Sequence, residues 1–264
     1  MNNLTVVICA YNVGTGSRKD GTDFIRRCLS TIRADIPIVI VDDGSTDDTL
    51  EIINRNRRDN MQIVTIPENG GLRNAYNIAI EHVETSYFVR VDADILFPRE
   101  ADWDTQLVKH FTLHPECGAA GAVQYLPDGR LWCAGDRLLP KYEHIATSVP
   151  RGGYRICHSV MGCFSAYPMH VWREVGGVIC DQWMRGETED LNLRVQKAGY
   201  EVHCLPLHFV HCHADSRCKS GEYNNPELVA SRIRAHFLQH YGFPFYEESN
   251  AELPYLKPIQ TVSG

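Results

Sequence analysis

From Leu4 to Ala10 the chain runs Leu-Thr-Val-Val-Ile-Cys-Ala, an apolar and β-branched stretch without period-two alternation, which predicts a strand covered on both faces. Ile36 to Val41, Met61 to Ile66 and Tyr87 to Val91 repeat the pattern. Helical spacing fills the gaps: about Asp23 to Ile32, Asp47 to Arg55 after the turn residues Gly44 and Ser45, and the set Leu72, Ala75, Tyr76, Ala79 and Val83. Strands of this kind alternating with amphipathic helices predict an α/β fold, a mostly parallel sheet flanked by helices. The second half is less periodic. It predicts a turn at Asp128-Gly129-Arg130, strand within Tyr154 to Ser165 and a short helix from Pro168 to Val175. A further helix carries Leu191, Val195 and Ala198 and ends at Gly199, and a last one after Asn225-Pro226 carries Val229, Ile233, Phe237 and Tyr241. With no internal repeat and no Gly-, Ser- or Pro-rich linker, residues 1–264 read as a single domain. The regular half is 1–95, the less regular half is 96–246, and 247–264 form a loosely held tail.

Composition narrows the function class. Apolar residues at 44% and charged residues at 22% are ordinary globular usage, which argues against disorder or a small disulfide scaffold. A formal charge of −7 supplies no electrostatic footprint for a phosphate backbone, so a nucleic-acid partner has no support in the charge. The first residues lack a basic segment with a cleavable apolar core, and no run approaches the ~20 apolar residues of a transmembrane segment, which predicts a cytoplasmic protein. Ten cysteines scattered without paired spacing then read as free thiols. The stretch His203 to Cys218 is rich in His and Cys but has no Cys-x-x-Cys pair, so it reads as a strand end with one or two functional histidines rather than a zinc site.

The chemistry collects at strand ends. Open α/β sheets bind ligands outside the carboxyl ends of their strands. Here those ends are Ala10-Tyr11-Asn12, Asp42-Asp43-Gly44-Ser45, the approach to Glu68-Asn69-Gly70-Gly71, and Asp92-Ala93-Asp94. Two carboxylates at one strand terminus suit a hard cation, Mg2+ or Mn2+, whose remaining positions substrate phosphates can fill. Asp42 and Asp43 suit a base N–H or a ribose hydroxyl, or alternatively a turn with a helix cap. Glu189-Asp190 reads either as the acidic first turn of a helix or as a general base.

In order, Val6 to Asn12, Val41 to Asp47, Asn69-Gly70-Gly71-Leu72-Arg73-Asn74 and Val91-Asp92-Ala93-Asp94 resemble the inverting GT-A glycosyltransferases of family two. Gly176-Gly177 with Asp181, then Glu189-Asp190-Leu191-Asn192-Leu193-Arg194 and Ala198-Gly199-Tyr200, are similar to that family's acceptor-side block, so the resemblance spans about residues 4 to 217. It implies a nucleotide-diphosphate sugar donor, UDP-linked by preference or dTDP-linked, an acceptor hydroxyl and a divalent cation. It implies that Ala10, Tyr11 and Asn12 line the nucleotide pocket with Tyr11 on the base, and that Asp42 and Asp43 meet base and ribose. Gly70 and Arg73 would lie near the diphosphate. Asp94 would ligate the metal, with Asp92 as ligand or ribose partner and Ala93 between them. Asp190, with Glu189 beside it, would deprotonate the acceptor. His211 would complete the metal shell, with His213 as its fallback, and an imidazole ligand favours Mn2+ over Mg2+.

Two other functions fit the same pattern less closely. A sugar-phosphate nucleotidyltransferase needs a Gly-rich, basic loop after the first strand, and Tyr11-Asn12-Val13-Gly14 supplies little of it. A non-catalytic nucleotide-sugar-binding module would have no use for Asp190. Departures from the family lie at Val178-Ile179-Cys180 and in the long loop Gly14 to Gly21. Trp132, Trp172 and Trp183 are candidate sugar platforms, or core anchors, and Gln124, Asp136 and Gly162 are the residues on which donor-sugar choice would turn.

Overall fold

Strand runs with no polar face predict burial on both sides, and the computed structural model shows how that burial is achieved; it describes residues 3–15, 23–97, 102–146, 148–179, 186–212, 226–245 and 247–263. In chain order the elements are β1 (Leu4–Ala10), α1 (Phe24–Thr31), β2 (Ile38–Asp43), α2 (Thr49–Arg55), β3 (Met61–Ile66), α3 (Gly71–Glu81), β4 (Tyr87–Val91), β5 (Ile95–Leu96), α4 (Trp103–Leu113) and β6 (Cys117–Tyr125). They continue with β7 (Leu131–Cys133), β8 (Asp136–Arg137), β9 (Glu143–His144), β10 (Gly153–Ile156), β11 (Phe164–Pro168), α5 (Met169–Val175), α6 (Glu187–Lys197), β12 (Glu201–His211), α7 (Pro226–Tyr241) and β13 (Gln260–Ser263).

One sheet is ordered β13-β10-β12-β6-β11-β4-β1-β2-β3, with β5 on the end of β12 and β7 on β6. β3, β2, β1 and β4 pair in parallel, and β6 pairs in parallel with β12. Along the path only β10 and β11 run against the rest. The α/β architecture read from the sequence is therefore the observed one. Successive side chains of β1 enter opposite cores. Val6 and Ile8 pack with Ile25, Leu29, Trp103 and Phe164 on one face, and Val7 packs with Tyr76, Phe88, Trp172 and Leu191 on the other. Each face so filled withholds several large apolar side chains from water, at ~1.5–3 kcal/mol apiece. Among the described residues no helix is long and apolar enough to cross a membrane.

Three segments differ from the sequence reading. β2 continues two residues past Val41, because Asp42 and Asp43 still pair with Thr65 and Ile66 of β3. The single strand expected within Tyr154 to Ser165 is two: β10 lies near the sheet edge and β11 beside β4. The crossing segment between them is itself largely buried, so hydropathy shows no break. The stretch after Tyr246 is not loosely held. β13 pairs with β10 from Gly153↔Ser263 to Ile156↔Gln260, and Leu253, Tyr255 and Leu256 pack on a third core of Leu138, Leu193, Ile233, Phe237, Phe243 and Phe245. Deleting residues 247–264 is therefore expected to lower the thermal midpoint, by about 2–4 °C for each kcal/mol lost in a chain of this size. An unchanged midpoint in thermal unfolding would show that this packing contributes nothing.

Candidate active site

Past the end of β4 the chain turns tightly. Asp92 N–H donates to Cys163 O at 3.1 Å, and Ile95 N–H donates to Asp92 O at 3.2 Å. The turn delivers β5, which pairs antiparallel with the end of β12 through Ile95↔His211 and Leu96↔Val210, and Cys212 N–H donates to Asp94 O at 3.0 Å. Asp94 and His211 are thereby brought together, with His211 Nε2 3.5 Å from Asp94 Oδ1. One ligand atom from each of Asp92, Asp94 and His211 lies within 4.8 Å of the others. Burial first, and Asp94 second, push the Asp92 carboxyl up to about 6. Burial works against charge on His211, but Cys163 and Asp94 outweigh it and hold its proton up to about 11. Two crowded carboxylates and one imidazole form a donor set that fits Mn2+, whose charge would relieve the repulsion raising Asp92. Ala93 turns inward and is buried.

The loops after β1 and β2 are laced together by side chains. Asn12, at φ +49°, donates its N–H to Ser45 Oγ at 3.0 Å and accepts from Thr46 N–H at 2.8 Å. Val13 N–H donates to Thr49 Oγ1 at 2.9 Å, and Gly14 N–H to Asp47 Oδ2 at 3.1 Å. Asp43 accepts the N–H of Gly70 and of Gly71, both at 2.9 Å, and so caps the start of α3. That contact requires Gly44: a Cβ there would stand 2.6 Å from Asn69 N, at φ +69°. Burial raises both carboxyls, that of Asp42 against the pull of Ser45 and that of Asp43 against the N–H groups of Gly70 and Gly71. Asp42 Oδ1 is buried without a hydrogen-bond partner, which leaves a whole oxygen to offer a ligand. Tyr11 is half-buried at the end of β1, and Arg73 is exposed on the first turn of α3.

The first turn of α6 carries Glu187, Glu189 and Asp190, and each has a different setting. Asp190 is 1% exposed. Its Oδ1 accepts from Tyr241 Oη at 2.6 Å and contacts His236 Nε2 at 2.8 Å, while Oδ2 takes Arg194 Nε at 2.9 Å and Nη2 at 2.8 Å. Burial would raise this carboxyl, but His236, Arg194 and Tyr241 outweigh it and hold it below its ordinary value. The four contacts account for the ~4 lone-pair sites of a carboxylate. Asp190, expected from the sequence as the general base, is thus held in this structure by Arg194, His236 and Tyr241. Glu187 lies elsewhere. Its Oε1 is 3.2 Å from Nη2 of the fully buried Arg90, which also stands 4.2 Å over the Tyr76 ring. Glu187 is near enough to Asp92 to raise its carboxyl. Gly162 closes against the same group: a Cβ there would stand 2.5 Å from Thr188 Oγ1 and 3.3 Å from Glu187 Oε1. Glu189 is partly exposed, and buried surroundings first, then Glu187 and Asp136, push it up to about 8.

The family model for Glycosyl transferase family 2 matches residues 5–175, more than half of the chain. The protein belongs to glycosyl transferase family 2. A teichoic acid poly(glycerol phosphate) polymerase of Staphylococcus epidermidis is 36% identical over 101 residues, which are 36% of this chain and 13% of that protein. The chain thus spans a minor part of that relative. Among solved structures, a mannosyltransferase of Pyrobaculum calidifontis in complex with GDP-Man and Mn2+ superposes with a TM-score of 0.61 at 20% identity, over 92% of this chain and 66% of that one. GalNAc-T7 with UDP, GalNAc and Mn2+ gives 0.60 at 14% identity, over 79% and 43%. These likenesses establish the GT-A fold.

Within this family 2 framework, the structure brings Asp92, Asp94 and His211 together, and Asp42 and Asp43 with Gly70. Sequence reasoning missed Glu187, Arg90, His236 and Tyr241. Arg90 had a signal, a lone charge inside the apolar run Tyr87 to Val91; Glu187 stood at the start of the acidic turn. Trp172 is a core anchor, 4% exposed and 5.0 Å edge-on to Phe88, rather than a sugar platform. Asp181, Trp183, His213, Ser216, Arg217 and Cys218 lie outside the described residues. His203 and His211 stand at opposite ends of β12, so the described part of the His203 to Cys218 stretch does not form one site.

Asp190→Asn is expected to cost about 3 kcal/mol in denaturant unfolding at neutral pH, because Arg194 loses its buried partner. Since the folded carboxyl titrates below its unfolded value of about 3.9, its stabilisation exists above that pH and is lost as pH falls through the folded value. The deficit of the variant should therefore shrink on acidification below about pH 3.9. Equal stability of the two proteins at neutral pH would contradict the cage.

Proposed function

We propose that the protein is an inverting glycosyltransferase that moves a sugar from a nucleotide diphosphate to an acceptor hydroxyl, aided by Mn2+ or Mg2+. The observation that carries this reading is the meeting of Asp92, Asp94 and His211 at the sheet edge that also presents Asp42. Two GT-A relatives were solved with Mn2+ and with GDP-Man or UDP, which supports a cation and a nucleotide donor here. A bound divalent cation would neutralise the negative charge gathering on the leaving diphosphate. Asp94, Asp92 and His211 would hold it, and the imidazole favours manganese. Tyr11 would pack on the base, Asp42 would accept from base or ribose, and Arg73 would meet the diphosphate.

We assign acceptor deprotonation to Glu187, with Asp190 as the second candidate. Arg90 and Thr188 hold Glu187 Oε1, and its charge is near enough to raise the Asp92 carboxyl. The acceptor hydroxyl gives its proton to Glu187 as its oxygen bonds to the anomeric carbon. The bond from that carbon to the phosphate oxygen breaks on the opposite face, and the nucleoside diphosphate leaves. Glu189, raised by burial first and then by the charge of Glu187, would stay protonated at neutral pH and keep a second negative charge out of the pocket. A nucleotidyltransferase is disfavoured, because the N–H groups of Asn12, Val13 and Gly14, which its phosphate loop would need, are already given to Ser45, Thr49 and Asp47. The free thiols among the described residues are those expected of a reducing, cytoplasmic setting.

The test is nucleoside diphosphate release with UDP-, dTDP- and GDP-sugars, alongside Mn2+-dependent nucleotide binding. A UDP-sugar is expected to turn over fastest. Glu187→Gln should lower kcat by ~10²–10⁴ and leave nucleotide binding intact, whereas Asp94→Asn should lose both. Full turnover by Glu187→Gln would remove that residue from the reaction.

A further inference from the structure

The edge of the sheet opposite the cation site carries a second group of ligand-type side chains, drawn from three elements. His110 lies in the last turn of α4, Cys117 opens β6, and His203 is near the start of β12. Parallel pairing sets Glu201 beside Cys117 and His203 beside Ala120. One ligand atom from each of His110, Cys117 and His203 lies within 4.8 Å of the other two. The group shares nothing with the transferase site, since β12 runs eight residues from His203 to His211, about 26 Å of strand.

The hydrogen bonds are those of a metal-ligating histidine. His203 Nε2 contacts Glu201 Oε2 at 2.9 Å, and because a carboxylate only accepts, that nitrogen carries the proton. The other nitrogen, Nδ1, then accepts from His110 Nε2–H at 2.9 Å, a bond that a cation between the rings would replace. A carboxylate behind an imidazole fixes the tautomer and strengthens the opposite nitrogen as a ligand. The group is set into the packed structure: His203 is 0% exposed, Cys117 is 2% exposed and His110 is half-buried. Tyr154 stacks on His203 with centroids 4.1 Å apart and covers one side. His114, 4.4 Å centroid to centroid from His110, adds a further imidazole.

We propose that His110, Cys117 and His203 form a second metal site, with Glu201 orienting His203, and that its ion is zinc. Two imidazoles and a thiolate suit a borderline-soft ion in tetrahedral coordination, and they discriminate against the Mg2+ or Mn2+ that oxygen donors prefer. On binding, the Cys117 thiol proton passes to solvent as the Zn–S bond forms, and the proton shared between the rings moves to His110 Nδ1. The site ties the last turn of α4 to the first residues of two central strands, so its effect falls on stability.

The test uses the full chain freed of metal by chelation. Co2+, which reports a thiolate ligand by charge-transfer absorption, is titrated into the parent, Asp94→Asn, Cys117→Ser and His110→Gln. The expected result is a band that saturates at a single equivalent in the parent and in Asp94→Asn, is bleached by Zn2+, and is lost in Cys117→Ser. Zn2+ should raise the thermal midpoint of Asp94→Asn but not of Cys117→Ser or His110→Gln. Mn2+-dependent nucleoside diphosphate release should be unaltered in Cys117→Ser, which separates this site from the transferase site. A band that survives in Cys117→Ser, or the absence of any Zn2+ shift in Asp94→Asn, would reduce the group to a buried histidine network and overturn the proposal.

Discussion

The two-residue pairing of β5 with the end of β12 sets the geometry of the cation site. Asp94 follows β4 and His211 ends a strand separated from β4 by two others, so only this short ladder brings them to 3.5 Å. Because side chains alternate along a strand, a slip of one residue would send His211 to the other face. The register is pinned by packing. Ile95 and Phe97 are buried on either side of Leu96, and Phe97 sits in an aromatic group with Trp103 at 4.9 Å and Phe209 at 5.2 Å, while Phe209 stacks on Phe164 at 4.2 Å. A ligand pair is thus positioned by apolar side chains that never touch a ligand.

Around this frame, buried charge is handled residue by residue. Arg90 is 1% exposed and is matched by Glu187 and by the face of Tyr76. Asp190 is enclosed by Arg194, His236 and Tyr241, and Arg194 goes on to the carbonyl oxygens of Val175 and Gly177, joining α6 to the loop after α5. Asp190 thus spends its charge on structure. Asp43 sits on the N–H groups of Gly70 and Gly71, yet burial still raises its carboxyl, as it does those of Asp92 and Glu189, and it is such groups that a cation or a substrate relieves.

The first half of the fold was legible because each strand is a continuous apolar run with its chemistry concentrated at the carboxyl end. Asp92, Asp94 and His211 follow from that rule and from the family resemblance. The same sequence could not separate Asp42 from Asp43, since the difference lies in which one meets the N–H groups of a loop 27 residues away. Nor could it show what Asp190 contacts, because α7, which carries His236 and Tyr241, reaches Asp190 from about 50 positions downstream. The tail was misread for a related reason: β13 finds its partner in β10, more than 100 residues earlier, and no local periodicity announces it.

The central claim is that Asp92, Asp94 and His211 hold the catalytic cation. Anomalous diffraction from crystals grown with Mn2+ and UDP tests it most directly. The account predicts a manganese peak between Asp94 and His211, at about 2.0–2.3 Å from their ligand atoms, with diphosphate oxygens completing the shell. A crystal with UDP seated by Asp42 but no manganese at that triad would contradict it.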